Sequence, residues 1–111
     1  MLQLHNKHEL DVAVGQSSFT VRYGNKWRDT PIGAQIELFV TRNDITNLEG
    51  AAVVEGVTIM KFRDIPAKLI ETQQEASARV YSGLLESMRR AYGSDFSEDS
   101  EVICLAYKRT E

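Results

Sequence analysis

Apolar and polar residues alternate along three segments of the chain, and this period of two predicts β-strands. A fourth strand is predicted from a short, mostly apolar run near the end of the sequence. We expect strands over residues 17–23, 34–41, 50–62 and 101–107. The third segment carries Gly56 near its middle, where a β-bulge would fit. Both faces of the last segment are apolar, which predicts that this strand lies in the interior of a sheet.

The first residues of the chain predict a strand-to-helix corner at 6–7. A brief helix is then expected over 7–14, because the segment is short and mixed in polarity. Gly15 follows it, and glycine is the usual residue at a left-handed helix stop.

A longer amphipathic helix is the clearest element of the second half. Thr72 and Glu75 have the spacing of a capping box, which predicts its start. Gly93 predicts its end. The apolar residues of this helix recur every four positions: Ala76, Val80, Leu84 and Met88. Several strands with one short and one long helix on the outside predict an α+β fold, a small mixed β-barrel.

The composition fits one soluble domain spanning residues 1–111. Hydrophobic residues make up 42% and charged residues 26%, and the net charge of −3 argues against binding polyanions over the whole surface. The single cysteine, Cys104, lies in an apolar run, so we expect a buried thiol and no disulfide. No apolar signal segment or membrane-spanning run is recognisable, and a cytoplasmic location with no membrane partner is expected.

A short stretch at the end of the strand predicted over 17–23 and in the loop after it combines cations and aromatic rings. In single-stranded nucleic-acid sites, cations contact phosphates and rings stack on bases, so this stretch predicts an RNA-binding surface. Its members are Arg22, Tyr23, Lys26, Trp27 and Arg28, and Lys61 and Arg63 could extend the same surface. The alternative is a solvated loop with Trp27 folded onto the barrel as a lid.

Other candidate sites carry less weight. His5 and His8 have a spacing that can bind a metal on a helix, but no third ligand is evident. The carboxylates of residues 95–101 do not follow a calcium-loop pattern and are expected to be solvated. No glycine-rich phosphate loop is present. We therefore expect neither a metal nor a cofactor.

Residues 15–22, Gly-Gln-Ser-Ser-Phe-Thr-Val-Arg, resemble the signature of the ASCH domains, G-x-K-x-x-E-x-R. The order of the predicted elements is also similar to that family over nearly the whole chain. The resemblance implies a PUA-like β-barrel and the recognition of RNA or a modified nucleoside. It also implies that Arg22 faces a cleft together with Thr20.

One bacterial branch of that family hydrolyses the acetyl amide of acetylated cytidine, and Thr20 matches its threonine. The branch also uses a lysine, where this chain has Ser17, and a glutamate, for which Glu75 is the nearest candidate and Glu71 competes. A serine cannot supply the positive charge of a lysine. We therefore prefer a binding module. A hydrolase (an amidohydrolase or a weak ribonuclease) and a small protein-interaction domain remain as alternatives.

Overall fold

The computed structural model describes residues 2–7 and 9–111 of the chain. The strands are β1 (Leu2–Asn6), β2 (Ser17–Arg22), β3 (Gln35–Arg42), β4 (Ile45–Lys61) and β5 (Glu101–Arg109). The helices are α1 (Ala67–Ile70) and α2 (Tyr81–Tyr92), with single 3-10 turns at Phe62–Asp64 and Ala76–Ala78. The predicted α+β class is confirmed.

The five strands form one mixed sheet in the order β1-β3-β4-β5-β2. β1 pairs with β3 in parallel, and the other neighbours are antiparallel. β5 lies between β4 and β2, which confirms the prediction of an interior strand. The two edge strands, β1 and β2, do not pair with each other. The sheet is therefore open, and the predicted barrel is present only in a loose sense.

β3 and β4 form a long hairpin, which continues through residues 42–49, between the strands predicted over 34–41 and 50–62. Asn43 and Asp44 have φ angles of 50° and 64°, and pairing continues on both sides from Arg42 and Ile45. Asn and Asp are the non-glycine residues that best tolerate these angles, and two such residues make a tight hairpin turn. The expected bulge is confirmed by a register shift between Val54 and Gly56.

The expected helix over 7–14 is wrong. Residues 9–13 form no regular element, and His8 lies outside the described residues. Residues distant in the sequence supply hydrogen bonds to the backbone of this segment. The Asp11 amide donates to the Gln74 carbonyl at 3.0 Å, and the Arg109 side chain donates to the Val12 carbonyl at 2.6 Å. Gly15 nevertheless has a φ of +87°, as its predicted left-handed role requires.

The start of the long helix also differs from its prediction. α2 begins at Tyr81, and the hydroxyl of Thr72 donates to the Leu69 carbonyl rather than capping a helix. Residues 72–74 run beside β2 instead, because the Phe19 amide donates to the Thr72 carbonyl and the Gln74 amide donates to the Phe19 carbonyl. The predicted end at Gly93 is confirmed.

Two apolar cores occupy the two faces of the sheet. On one face, Phe19 and Cys104 pack beneath α2, which contributes Leu84 and Met88. On the other face the sheet curves around the side chains of its own alternate positions: Leu4, Ile36, Leu38, Leu105 and Tyr107. The described part of the chain contains no helix that is long and apolar enough to span a bilayer.

Candidate functional site

A cleft of about 480 Å³ opens where the two edge strands of the sheet end. One wall is the face of α2 that carries Leu84, Ser87, Met88 and Ala91. The remaining lining comes from Arg90 and Tyr92 at the end of α2, the end of β1 and the chain after it, the end of β2, and residues 73–75. We call this space the α2 cleft. Its volume falls within the roughly 300–1,000 Å³ typical of small-molecule sites.

Arg22, the last residue of β2, lines the α2 cleft and is half-buried. Its Nη1 donates to the Thr20 hydroxyl and to the Val21 carbonyl at 3.1 Å. Its Nη2 donates to the His5 carbonyl at 3.2 Å and to Asn6 Oδ1 at 2.8 Å. All four acceptors are neutral, so the guanidinium is held firmly in place while these bonds leave its positive charge uncompensated.

A buried amide network fixes the position of Arg22. Asn6 Oδ1 also accepts from the side-chain amide of Gln74, whose Oε1 accepts the hydroxyl of Tyr107 at 2.7 Å. Asn6 Nδ2 donates to the carbonyl of Phe39 at 3.2 Å. Because Asn6 and Gln74 are bonded on both ends of their amides, neither can turn without breaking a buried hydrogen bond.

The lining of the cleft is more positive than the chain as a whole. Lys7, Arg22 and Arg90 face Glu9 and Glu75, whereas the full chain carries a net charge of −3. Burial lowers the pKa of the Arg22 guanidinium, and the field of the Glu75 carboxylate raises it in part. Arginine nevertheless stays protonated at neutral pH. The cleft therefore holds a fixed cation on its floor.

An aromatic pair stands at the edge of the cleft. The rings of Tyr23 and Tyr92 lie 5.5 Å apart at 71°, and their residues are 43% and 37% exposed. Tyr92 itself lines the cleft. Phe96, which is 1% exposed, supports Tyr23 edge to face at 5.3 Å. We call Tyr23 and Tyr92 the tyrosine rim.

Trp27 does not lie on an open surface. It is 4% exposed and packs in the core on the curved side of the sheet. Its indole is therefore not available to stack on a base in this structure, and its place agrees with the lid alternative. Lys26 lies over the indole, 5.4 Å from the ring centre, and donates to the Gln3 carbonyl at 3.3 Å.

The other predicted phosphate ligands lie apart from the cleft lining. Arg28 forms a salt bridge with Glu101, and Lys61 is the cross-strand partner of the same glutamate. Arg63 forms a salt bridge with Asp99 at 2.7 Å. Thus Arg28 and Lys61 both neighbour Glu101, and each of the three cations has a carboxylate beside it or across the strand pair. Of the seven residues predicted to bind nucleic acid, Arg22 alone lines the α2 cleft.

The three positions that carry the enzymatic resemblance are not gathered in one place. Thr20 is fully buried, and its hydroxyl is bonded to Arg22, so a substrate reaches it only if Arg22 moves. Ser17 lies at the far end of β2, on the opposite face, where its hydroxyl donates to Glu55 at 2.7 Å. Glu75 lines the cleft and accepts from the Ser77 hydroxyl at 2.6 Å.

Four of the residues on which the geometry of the site depends most were not predicted from the sequence. Tyr92 continues the every-fourth-residue pattern of Leu84 and Met88 and could have been placed on the cleft face. Arg90 has no comparable signal, because a cation in the last turn of a helix is already favoured by the helix dipole. The remaining two are the buried amides, Asn6 and Gln74.

The two histidines that were considered as metal ligands, His5 and His8, are only partly covered by the structure. His5 stacks on Phe39 with ring centres 4.9 Å apart, and His8 lies outside the described residues. Among residues 2–7 and 9–111, no group of three or more His, Cys, Asp or Glu side chains is arranged to hold a metal ion.

Comparison with known proteins rests on structure alone. No family model matches the sequence, and no curated protein matches it. The crystal structure of an ASCH domain from Lactobacillus crispatus JV V101 superposes on the chain with a TM-score of 0.63. The two sequences are 11% identical, and the likeness covers 86% of this chain and 65% of that one.

The chain has an ASCH-like fold. The resemblance drawn from residues 15–22 and from the order of elements is thereby confirmed for the fold. Thr20 and Arg22 lie on one face of β2, and Arg22 lines the α2 cleft. At this level of identity the likeness concerns architecture.

Proposed function

We propose that the chain is a binding module that takes a nucleotide, free or as an unpaired nucleotide of RNA, into the α2 cleft. The observation that carries the proposal is the half-buried guanidinium of Arg22, fixed on the cleft floor by four neutral acceptors. A desolvated cation whose hydrogen bonds are all to neutral groups attracts an anionic group, and a phosphate is the anion that a nucleotide supplies. The ASCH-like fold supports the same class of ligand.

The rest of the lining suits the other parts of a nucleotide. Leu84 and Met88 offer an apolar wall for a base, while Glu75 and the edge of His5 offer polar groups for its rim. Arg90 adds a second cation at the last turn of α2. An apolar wall with a few convergent polar groups is the usual composition of a small-molecule site.

The test is a titration of the protein with the four ribonucleoside monophosphates and, separately, with the four nucleosides. Calorimetry measures the affinities, and changes in amide NMR chemical shifts locate the binding site. We expect saturable binding, with shifts at residues 5–7, 73–75 and 84–92. Each monophosphate should bind tighter than its nucleoside by about tenfold, which corresponds to the roughly 1.5 kcal/mol of one charge-assisted hydrogen bond.

Two neighbouring arginines of α2 provide a matched pair of variants. Arg90 lines the cleft and Arg89 does not, although both are exposed in the last turn of the same helix. Arg90→Gln should weaken monophosphate binding about three- to fivefold, since exposed charge pairs contribute up to about 1 kcal/mol. Arg89→Gln should leave it within about twofold.

Two outcomes would overturn the proposal. One is the absence of binding by all eight ligands at millimolar concentration. The other is equal loss in the two arginine variants, because a general effect of surface charge would then explain the affinity. Raising the salt concentration should weaken monophosphate binding only slightly, since few phosphate contacts are involved.

A further inference from the structure

We propose that the tyrosine rim is a second subsite, which stacks the base next to the nucleotide held in the α2 cleft. This inference rests on the proposed function and narrows it. The ligand becomes a single-stranded oligonucleotide of at least two residues rather than a free nucleotide.

The geometry of the rim favours stacking. Tyr23 and Tyr92 meet edge to face, with their ring planes 71° apart, and each residue is more than a third exposed. An exposed aromatic ring offers a flat apolar surface that accepts any base, because every base has a π-face.

The rim is held rigid before any ligand arrives. Buried Phe96 contacts Tyr23 edge to face and lies 6.3 Å from the ring of Tyr92. Phe96 is in turn packed against Phe62, with ring centres 5.5 Å apart, in the core beneath α2. A ring that is already fixed loses little conformational entropy when a base stacks on it.

The rim is continuous with the cleft and with its cations. Tyr92 belongs to the cleft lining, Arg90 precedes it by two residues, and Tyr23 directly follows Arg22 in the chain. Cations beside exposed rings form the combination that holds unpaired nucleotides. A nucleotide whose phosphate lies at Arg22 therefore places its neighbour towards the two tyrosines.

The experiment compares ligands of increasing length on one protein. Affinities are measured for uridine monophosphate, the dinucleotide UpU and the tetranucleotide, with the adenosine series and the DNA counterparts as further arms. We expect the dinucleotide to bind about five- to 150-fold tighter than the monophosphate, the range expected for one stacked base. RNA and DNA binding equally would assign the rim to single strands in general, and a preference for RNA would add contacts to the 2′-hydroxyl.

Tyr23 is the informative position, because it belongs to the rim and not to the cleft lining. Tyr23→Ala should abolish the advantage of the dinucleotide over the monophosphate, with both affinities measured on the same variant. Tyr23→Phe keeps the ring and the packing on Phe96, and it should retain that advantage. Thermal unfolding of both variants checks that any loss reflects the missing ring rather than an unfolded protein.

The possible failures are distinguishable. If the monophosphate binds and the dinucleotide gains nothing, the second subsite is wrong while the proposed function stands. If Tyr23→Ala and Tyr23→Phe lose the advantage equally, stacking is not its cause and the subsite is again wrong. If neither monophosphate nor oligonucleotide binds, the proposed function itself fails.

Discussion

Arg22 Nη2 lies 2.8 Å from Asn6 Oδ1, and this hydrogen bond joins the last residue of β2 to the last residue of β1. These are the two edge strands of an open sheet. The guanidinium thus bridges the ends of the sheet that backbone pairing leaves apart. The same guanidinium is the fixed cation of the α2 cleft, so one side chain both bridges the two edge strands and supplies the charge of the site.

The first prediction concerns Asn6, the acceptor in this bridge. Asn6→Ala leaves buried donors of Arg22 and Gln74 without their shared acceptor, and each unsatisfied donor costs about 1–3 kcal/mol. We expect the free energy of unfolding to fall by about 2–4 kcal/mol in urea denaturation. Gln3→Ala, an exposed position on the same strand, is the control and should change it by about 0.5 kcal/mol or less. Equal effects of the two variants would show that the bridge does not stabilise the fold.

The parts of the fold that follow local rules could be predicted from the sequence. The residue pattern placed β2, β3 and β5 to within two residues at each end, but it began β4 five residues late and gave no bounds for β1. Gly56 and Gly93 correctly predicted a bulge and a helix end. These features depend on the period of two and on glycine's lack of a side chain. Both are properties of a short segment by itself.

The features that depend on distant partners could not be predicted in this way. Thr72 and Glu75 have the spacing of a helix cap, yet pairing with Phe19 holds residues 72–74 extended beside β2. Trp27 is flanked in the sequence by polar and charged residues, which predicts an exposed ring, yet its side chain packs in the core on the curved side of the sheet. The candidate site was the least predictable part, because the α2 cleft is formed by segments that are far apart in the sequence. Of its lining residues, only Arg22 and Glu75 were predicted as site residues.

Alkaline pH should destabilise the protein through Tyr107. Burial raises the pKa of the Tyr107 hydroxyl from 10.0 to about 12. The unfolded chain loses this proton near pH 10 while the folded chain keeps it, so the stabilisation is complete below pH 10 and is lost as the pH rises towards 12. A separation of two pH units corresponds to about 2.7 kcal/mol, which we expect to see as a fall in the free energy of unfolding.

The contribution of the Tyr107 hydroxyl is isolated by comparing the pH dependence of the free energy of unfolding in the unchanged protein and in Tyr107→Phe. Burial also raises the pKa of the Cys104 thiol, from 9.0 to about 11. The thiol therefore also lowers the free energy of unfolding as the pH rises, but between about pH 9 and 11. The variant should start less stable near neutral pH, because Gln74 loses its hydroxyl donor, and should then decline less steeply. Parallel curves for the two proteins from pH 9 to 12 would contradict the assignment to Tyr107.

Gly83, in the first turn of α2, provides a case in which helix propensity and packing disagree. Alanine is favoured over glycine in a helix by about 1 kcal/mol, so propensity alone predicts that Gly83→Ala stabilises the protein. A Cβ at this position would instead overlap the backbone carbonyl oxygen of Ser77. We expect a net loss of about 1–3 kcal/mol, the usual cost of overpacking.

Gly56→Ala is the matched control for Gly83→Ala. A Cβ at Gly56 would meet its nearest neighbour, the Cβ of Ala106, at an ordinary contact distance of 3.9 Å. This variant should therefore be neutral or slightly stabilising in thermal unfolding. A Gly83→Ala protein as stable as the control would mean that the 3-10 turn at Ala76–Ala78 can move away from α2 at little cost.

The last prediction concerns Ser17, which stands where the amidohydrolase branch of the resembled family has lysine. Ser17 shares the face of Phe19 and Val21, opposite to Thr20, and its hydroxyl donates to Glu55. A lysine introduced there would pair with that carboxylate on the surface instead of placing its charge beside the buried Thr20 hydroxyl. We therefore expect Ser17→Lys to release no cytidine from acetylated cytidine, as measured by chromatography after prolonged incubation. The unchanged protein and Ser17→Ala serve as blanks, and release by Ser17→Lys alone would show that the lysine reaches Thr20 and that the site retains the chemistry of a hydrolase.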